Sequence, residues 1–249
     1  MKVIKPYAEI LTSIDEEKIM RNIETAGRTC YKSDSVFTLE SGRRFVKGLI
    51  SSGHESVLEH EVISVCFVCD RGVSHELVRH RIASFSQEST RYCNYAKANE
   101  IIFIKPFFWE KGTQEYFVWE SLCQAAENSY LSLINSGSTP QKARTVLPNS
   151  LKTELVMTAN LREWRLFFKL RALGLTGKPH PQMLELTVPL LSEFAECLPA
   201  VFGDLLGQLK DDNNSSISDL KYFEFYKERG MLPNFVVIKS SYAENERND

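Results

Sequence analysis

Strand-like and helix-like segments follow one another along this chain without the regular strand–helix–strand repeat of a doubly wound sheet. Segments 61–70 (EVISVCFVCD) and 151–160 (LKTELVMTAN) are typical of strands, because apolar residues recur at every second position. Segments 113–135 and 161–173 show the three-to-four-residue spacing of helices. This irregular mixture favours an α+β fold over a doubly wound sheet.

Other segments give weaker local predictions. Residues 2–11 (KVIKPYAEIL) predict one short strand, 72–81 a helix and 83–95 an irregular region. In the helix over 113–135 the predicted apolar stripe comprises Phe117, Val118, Leu122, Ala125, Ala126, Tyr130 and Leu133. The polar run DDNNSS at 211–216 indicates a linker. We therefore expect a catalytic domain over 1–210 and a C-terminal extension of unknown role over 211–249.

Composition excludes several classes of protein. The 249 residues are 43% hydrophobic and carry a net charge of −2, so no overall positive field attracts nucleic acid or anionic lipid. No stretch approaches the roughly 20 apolar residues of a membrane span, and the N-terminus lacks the apolar run of a signal peptide. The expectation is a cytoplasmic protein that binds neither membranes nor nucleic acid.

Cysteine and histidine spacing argues against a metal site. Cys66 and Cys69 are three apart in a predicted strand and so point to opposite faces. His75 and His80 are five apart, about 140° around a helix, so they do not converge on one ion. We expect buried thiols and no bound metal.

The stretch 79–92 (RHRIASFSQESTRY) brings many hydrogen-bond donors to one place. In a helix over 72–81, Glu76, Arg79 and His80 would share a face, while Val73 and Leu77 pack on another. Arginine forks, serine hydroxyls and loop N–H groups together can bind phosphate. The alternative is a solvated turn held by salt bridges. Two further arginines, at 144 and 171, either reach solvent or point into a pocket that needs positive charge.

Several motifs resemble those of flavin-dependent thymidylate synthases. Arg79-His80-Arg81 is followed, after seven residues, by Ser89, as in the signature of that family. In the same order, further segments resemble family elements: GHES (53–56), ELVRHR (76–81), KARTVLP (142–148), TANLREWRLFFKLR (158–171) and HPQMLEL (180–186). The resemblance covers about residues 50–190.

The resemblance implies an antiparallel sheet flanked by helices and a homotetramer whose active sites are built from several subunits. It implies conversion of dUMP to dTMP, with methylenetetrahydrofolate as carbon donor. NADPH would reduce a bound FAD, and the reduced flavin would be the hydride source.

The resemblance also assigns roles to individual residues. The FAD-binding set is His54, Ser56, Arg79, His80, Arg81, Gln87, Asn160, Leu161, Arg162, Leu166 and His180. The dUMP-binding set is Glu76, Leu77, Val78, Arg79, Gln87, Glu88, Ser89, Thr90, Arg91, Arg144 and Arg171. Arg171 is the catalytic candidate, because a fixed guanidinium can stabilise uracil ionised at N3.

The chain departs from the family pattern at a few positions. Ser86-Gln87 stands where many members have Asn-Glu, so a carboxylate is replaced by an amide. Leu166 stands where some members contact the flavin with a side-chain amide. A longer GLTGKP loop shifts the alignment at His180. Ser89 is assigned to binding, because hydride delivery from flavin requires no serine nucleophile.

Two other classes of function stay open from the residues alone. A metal-dependent phosphohydrolase would use the histidines between His54 and His80, although their spacing argues against it. A non-catalytic nucleotide- or RNA-binding module would use the arginines, although the net charge argues against it.

Overall fold

The computed structural model describes residues 1–210 except 31, 34, 35 and 99. The strands are β1 Lys2–Ile4, β2 Tyr7–Ile10, β3 Val62–Asp70, β4 Ala83–Gln87, β5 Ile102–Ile104 and β6 Lys152–Asn160. The α-helices are α1 Glu16–Thr29, α2 Leu39–Ser51, α3 Arg71–Leu77, α4 Gln114–Asn135, α5 Pro140–Ala143, α6 Leu161–Arg171, α7 Pro181–Cys197 and α8 Pro199–Lys210. Short 3₁₀ helices span Glu55–His60, Tyr95–Ala98 and Arg144–Val146.

A four-stranded antiparallel sheet in the order β2-β3-β6-β4 forms the centre of the fold. In its register Met157 of β6 lies opposite Val65 of β3 on one side and Phe85 of β4 on the other. Successive side chains on a strand point to opposite faces, so this register lines up the apolar positions on one face. The α+β prediction, with an antiparallel sheet and flanking helices, is confirmed.

The helices α1, α2, α6, α7 and α8 cover that apolar face and form the main core. Its centre is aromatic: Trp164 and Phe168 of α6 lie 5.2 Å each, between ring centroids, from Phe194 of α7. Phe194 in turn lies 5.1 Å from Phe202 of α8. Truncating such buried rings to alanine typically costs about 3–5 kcal/mol, so this cluster is a main source of stability.

A smaller second core surrounds the parallel pair β1–β5 and the helix α4. Phe103 of β5 is fully buried there and forms an isolated bridge with Leu151, just before β6. The two cores are therefore joined through the start of β6.

Three local predictions are wrong for identifiable reasons. Residues 2–11 form two strands rather than one, because Pro6 has no N–H to continue a ladder. The helix over 72–81 ends at Leu77, so Arg79 and His80 lie in the turn that follows and share no helical face with Glu76. The region 83–95 contains the strand β4, whose polar sequence ASFSQ hides an inward-facing Ala83 and Phe85.

The helix α4 buries a face that matches the predicted stripe only in its second half, where Ala126, Tyr130 and Leu133 pack inward. Phe117, Val118 and Leu122 are 61%, 57% and 57% exposed, whereas Trp119 and Tyr130 are buried. The helix carries apolar residues on two faces, so periodicity alone does not select the one that packs. Its bounds, Gln114–Asn135, are close to the prediction, and the Thr113 side chain caps its first turn.

No helix in the part of the chain that the structure describes is long and apolar enough to cross a membrane. The predicted linker and the extension over 211–249 lie outside the described residues. The division at residue 210 stays a prediction.

Candidate active site

The arginine-rich motif lies in the turn between α3 and β4. Asp70, the last residue of β3, accepts a 2.7 Å hydrogen bond from the backbone N–H of Val73 and so caps α3. Val73 and Leu77 are buried, as predicted, and anchor the helix. The chain then turns sharply before β4 pairs with β6. A packed helix thus ends at a polar turn that faces several other elements.

His80 is the one motif residue whose side chain points inward. Its Nδ1 lies 3.0 Å from Oε1 of Glu163 on α6, and Phe167 contacts the ring edge-on. Burial lowers the pKa of His80, and although Glu163 opposes this effect, the nearby Arg171 adds to it. The imidazole is therefore neutral near physiological pH.

Arg171 ends α6 with its guanidinium held on two sides. Its Nε donates to Nε2 of His80 at 3.3 Å. Its Nη1 and Nη2 donate to Oε2 and the carbonyl oxygen of Glu76, at 3.0 and 3.3 Å. The hydroxyl of Thr187 donates to the carbonyl oxygen of Arg171 at 2.8 Å. Three of the five guanidinium N–H groups have partners, which leaves two for a ligand.

A cleft of about 500 Å³ opens beside Arg171, lined by Glu76, Leu170 and the loop 176–180. This loop and the turn before it contain Gly177 at φ 139° and Gly174 at φ 70°, conformations that side chains rarely allow. A second cavity of about 220 Å³ shares Glu76 and His180 with the first. His180, a predicted flavin ligand, therefore lines the same space as Arg171. Its Nδ1 accepts from Gln182 N–H at 3.3 Å and caps α7.

The loop after β4 begins with two side chains held by the protein itself. Gln87 Nε2 donates to the hydroxyls of Ser74 and Thr153, at 2.9 and 3.2 Å. Glu88 accepts from Lys152 Nζ at 3.0 Å and from the hydroxyl of Tyr95 at 2.6 Å. These contacts hold the start of the loop against α3 and β6.

The rest of this loop meets the segment around Arg144. Arg144 Nη1 donates to the hydroxyl of the buried Thr90 at 3.2 Å. Arg91 Nε donates to Gln141 Oε1 at 3.0 Å, and its backbone N–H donates to Ser89 Oγ at 3.2 Å. The loop with Arg91 and the segment with Arg144, which are distant in sequence, are therefore in direct contact through these two side chains.

The residues predicted to bind FAD include exposed side chains that have no partner among the described residues. The exposed side chains of His54, Arg79 and Arg81 make no hydrogen bond or ion pair with any described residue, and Ser56 is exposed nearby in sequence. Arg162 pairs with Glu59 at 2.5 Å on the surface. Unpaired cationic donors are what a flavin pyrophosphate requires, so these residues fit the cofactor.

Other predicted ligands have structural roles. Asn160 caps α6 by accepting from the Glu163 N–H at 2.8 Å. Leu77 and Leu161 are fully buried, so only their backbones can reach a ligand. Val78 and Leu166 are exposed and present apolar surface. None of these contacts tests the ligand assignments, which stay predictions.

Sequence reasoning missed Glu163 and Thr187. In the sequence Glu163 is an ordinary acidic residue in the first turn of a helix. Thr187 lies among the apolar residues on the buried face of α7. Only their contacts with His80 and Arg171, across 83 and 16 residues, indicate a role in the site.

Among the described residues, no group of three or more His, Cys, Asp or Glu side chains is arranged to hold a metal ion.

The comparisons with known proteins agree on one family. The profile of the family described as "Thymidylate synthase complementing protein" (Thy1) matches residues 12–200. A flavin-dependent thymidylate synthase of Geobacter sulfurreducens is 32% identical over 189 residues, which cover 73% of this chain and 80% of that protein. One of Mycobacteroides abscessus is 31% identical over 222 residues, covering 80% and 85%. One of Pyrococcus furiosus is 35% identical over 150 residues, which span only 60% of its own length and 59% of this chain.

Solved structures agree on the fold. The UMP/dUMP methylase PolB from Streptomyces cacaoi, solved with 5-Br UMP, superposes with a TM-score of 0.67 at 20% identity. The superposition covers 84% of this chain and 97% of PolB. The matched profile, the relatives and the motif-bearing turn together show that this chain belongs to the flavin-dependent thymidylate synthase family.

Proposed function

We propose that this chain converts dUMP to dTMP, with methylenetetrahydrofolate as carbon donor and NADPH as reductant. The observation that carries the proposal is the guanidinium of Arg171, fixed beside a cleft of about 500 Å³ with two N–H groups left for a ligand. Family membership supports the reaction class, and the motif residues support the ligands.

The nucleotide would be bound at both ends. Arg91 and Arg144, held together through Thr90 and Gln141, suit the phosphate. Arg171 and Glu76 suit the uracil: the guanidinium stabilises negative charge at N3 without reorganising during the reaction. Because the bond network already fixes Arg171, little entropy is lost when the ring binds.

FAD would be held by His54, Arg79 and Arg81, whose donors have no partner among the described residues, and by His180 at the cleft. When bound, FAD supplies the redox chemistry, taking reducing equivalents from NADPH and providing the hydride that completes the methyl group. The protein supplies binding, orientation and a fixed positive charge.

A homotetramer with shared active sites belongs to the same proposal. The predicted ligands come from segments far apart along the chain, from the GHES segment to the start of α7, which is typical of the shared sites that the resemblance implies. Light scattering and sedimentation should give a tetramer that retains flavin. A flavin-saturated, active monomer would contradict shared sites.

The decisive experiment has two stages. The purified protein should show flavin absorbance, and with NADPH and methylenetetrahydrofolate it should release tritium from 5-tritiated dUMP and form dTMP. Absence of both flavin and tritium release in a folded protein would refute the proposal. Flavin binding without dTMP formation would leave a nucleotide-binding flavoprotein.

A further inference from the structure

The imidazole of His80 is enclosed between a carboxylate and a guanidinium. Nδ1 lies 3.0 Å from Glu163 Oε1, and Nε2 lies 3.3 Å from Arg171 Nε. The side chains of His80 and Glu163 are only 3% and 5% exposed. Because both nitrogens have protein partners, those partners decide which one carries the proton.

The partners allow only one neutral tautomer. Arg171 Nε–H is always a donor, so Nε2 of His80 must accept. The proton of a neutral imidazole is then on Nδ1, where it is donated to the Glu163 carboxylate, an acceptor. The charged groups that face His80 are these two, and Arg171 links the ring onward to Glu76.

We propose that Glu163 is a positioning residue for Arg171: by holding His80 as its Nδ1–H tautomer, it provides the acceptor that fixes the guanidinium in the cleft. The proposal deepens the proposed function and rests on it for the role of Arg171. The geometry of the three side chains does not depend on the reaction.

His80 is the more rigid of the two supports of Arg171. The Glu76 side chain is 35% exposed on the cleft wall, whereas His80 is buried under Phe167. Glu76 binds the two Nη groups, and His80 binds Nε at the other edge of the fork. Loss of the His80 acceptor would leave the plane of the guanidinium free to tilt around its contacts with Glu76.

An ordinary helix-start role does not account for Glu163. An acid in the first turn stabilises a helix through the dipole from an exposed position. Here the Asn160 cap already binds the Glu163 N–H, and the Glu163 carboxylate points inward to His80. Burial of a carboxylate is costly unless it is paired, so the contact with His80 is the feature that explains its position.

The test uses Glu163→Leu, which removes the acceptor, and Glu163→Gln, whose amide oxygen can still accept from Nδ1–H. Glu127→Gln is the matched control, since Glu127 is equally buried but lies in the second core. Nitrogen-15 NMR of histidine-labelled holoenzyme, with His80 assigned by His80→Gln, should show the proton on Nδ1 in the parent and in the control. In Glu163→Leu only the 3.3 Å contact with Arg171 still favours that tautomer, so part of the population should shift to Nε2–H, and solvent exchange of Arg171 Nε–H should become faster.

The variants that lose the Nδ1–H tautomer of His80 should also lose turnover. Glu163→Leu should lose roughly 10- to 100-fold in kcat while retaining flavin, the range seen when second partners that orient metal-bound histidines are removed. Glu163→Gln should recover most of that loss. In an Arg171→Ala background, Glu163→Leu should change turnover by less than about twofold, because its effect passes through Arg171.

Several results would overturn the proposal: a parent His80 protonated on Nε2, an unchanged tautomer in Glu163→Leu, or an equal loss of turnover with and without Arg171. If Glu163→Leu does not fold, the parent tautomer and the Glu163→Gln variant decide. If the parent forms no dTMP, the proposed function fails, and the tautomer and exchange measurements still decide the role of Glu163.

Discussion

Arg171 and Glu76 are 95 residues apart in the chain, yet the guanidinium Nη1 lies 3.0 Å from the carboxylate Oε2. The pair closes one wall of the cleft and joins the end of α6 to the end of α3. An ion pair that is 22% and 35% exposed on its two sides contributes little stability. The main effect of this ion pair is therefore to orient the guanidinium of Arg171 in the cleft.

Arg171→Lys should fold, retain FAD and lose most of its turnover. Leu170 and the aromatic residues of α6 pack without the guanidinium, but lysine is a flexible point donor that cannot bind Glu76 and His80 together. Losing one preorganised anion stabiliser costs roughly 10²-fold in rate. Single-turnover conversion of dUMP by prereduced enzyme is the measurement. A rate within about threefold of the parent would leave Arg171 as a binding residue only.

Arg81→Ala and Arg144→Ala should separate the two ligands. Arg81 is an exposed cation without a partner among the described residues, in the motif assigned to flavin, whereas Arg144 contacts the loop assigned to dUMP. Each substitution should weaken the binding of one ligand, FAD for Arg81→Ala and dUMP for Arg144→Ala, by about 1.5–3 kcal/mol, the usual contribution of a charge-assisted hydrogen bond. Flavin retained after gel filtration and calorimetric titration with dUMP measure the two effects. Equal loss of both ligands in either folded variant would contradict the separation.

Asp204→Ala should destabilise the fold. Arg165 is almost fully buried, and its Nη1 and Nη2 each donate to Asp204 at 2.7 Å, while Glu55 offers a weaker contact at 3.3 Å. We expect a loss of about 1.5–3 kcal/mol in the free energy of unfolding, because the buried guanidinium keeps only the Val201 carbonyl oxygen and the longer contact with Glu55.

Urea unfolding of the holoprotein measures this effect. Glu17→Ala, which removes the exposed pair with Arg21, is the control and should cost less than about 1 kcal/mol. An equal cost for the two variants would show that the Arg165–Asp204 pair contributes no more than a surface pair.

Glu185→Gln should change how stability depends on pH. Burial raises the pKa of Glu185 to about 8, and its Oε2 has no hydrogen-bond partner within the described part of the chain. Folded protein thus holds this proton more tightly than the unfolded chain does. The stability from the neutral carboxyl is fully present below the ordinary glutamate pKa and is lost as the pH rises through about 8.

Glutamine cannot lose a proton, so the variant should match the parent near pH 5. Above pH 8 it should be more stable by on the order of 2 kcal/mol, the cost of a buried unsatisfied group. Thermal or urea unfolding of both proteins across this range is the measurement. Parallel stability curves would show that Glu185 is ionised in both states.

Local chemistry was readable from the sequence. Alternation indicated β3 and β6, and the apolar Val73 and Leu77 indicated a packed α3. The spacing of Arg79-His80-Arg81 and Ser89 indicated the family. These features depend on residues within a few positions of one another, so the local sequence is enough to predict them.

Tertiary contacts decided the rest. The polar segment ASFSQ forms β4 because its backbone pairs with β6. The helix α4 buries the face that packs against the second core. Glu163, His80 and Arg171 form one unit across 83 and 91 residues. No local pattern specifies such contacts, because they depend on where the sheet register and helix packing bring distant side chains. The sequence determined which chemical groups were available, and the packing of α6 against the turn after α3 determined which of them act together.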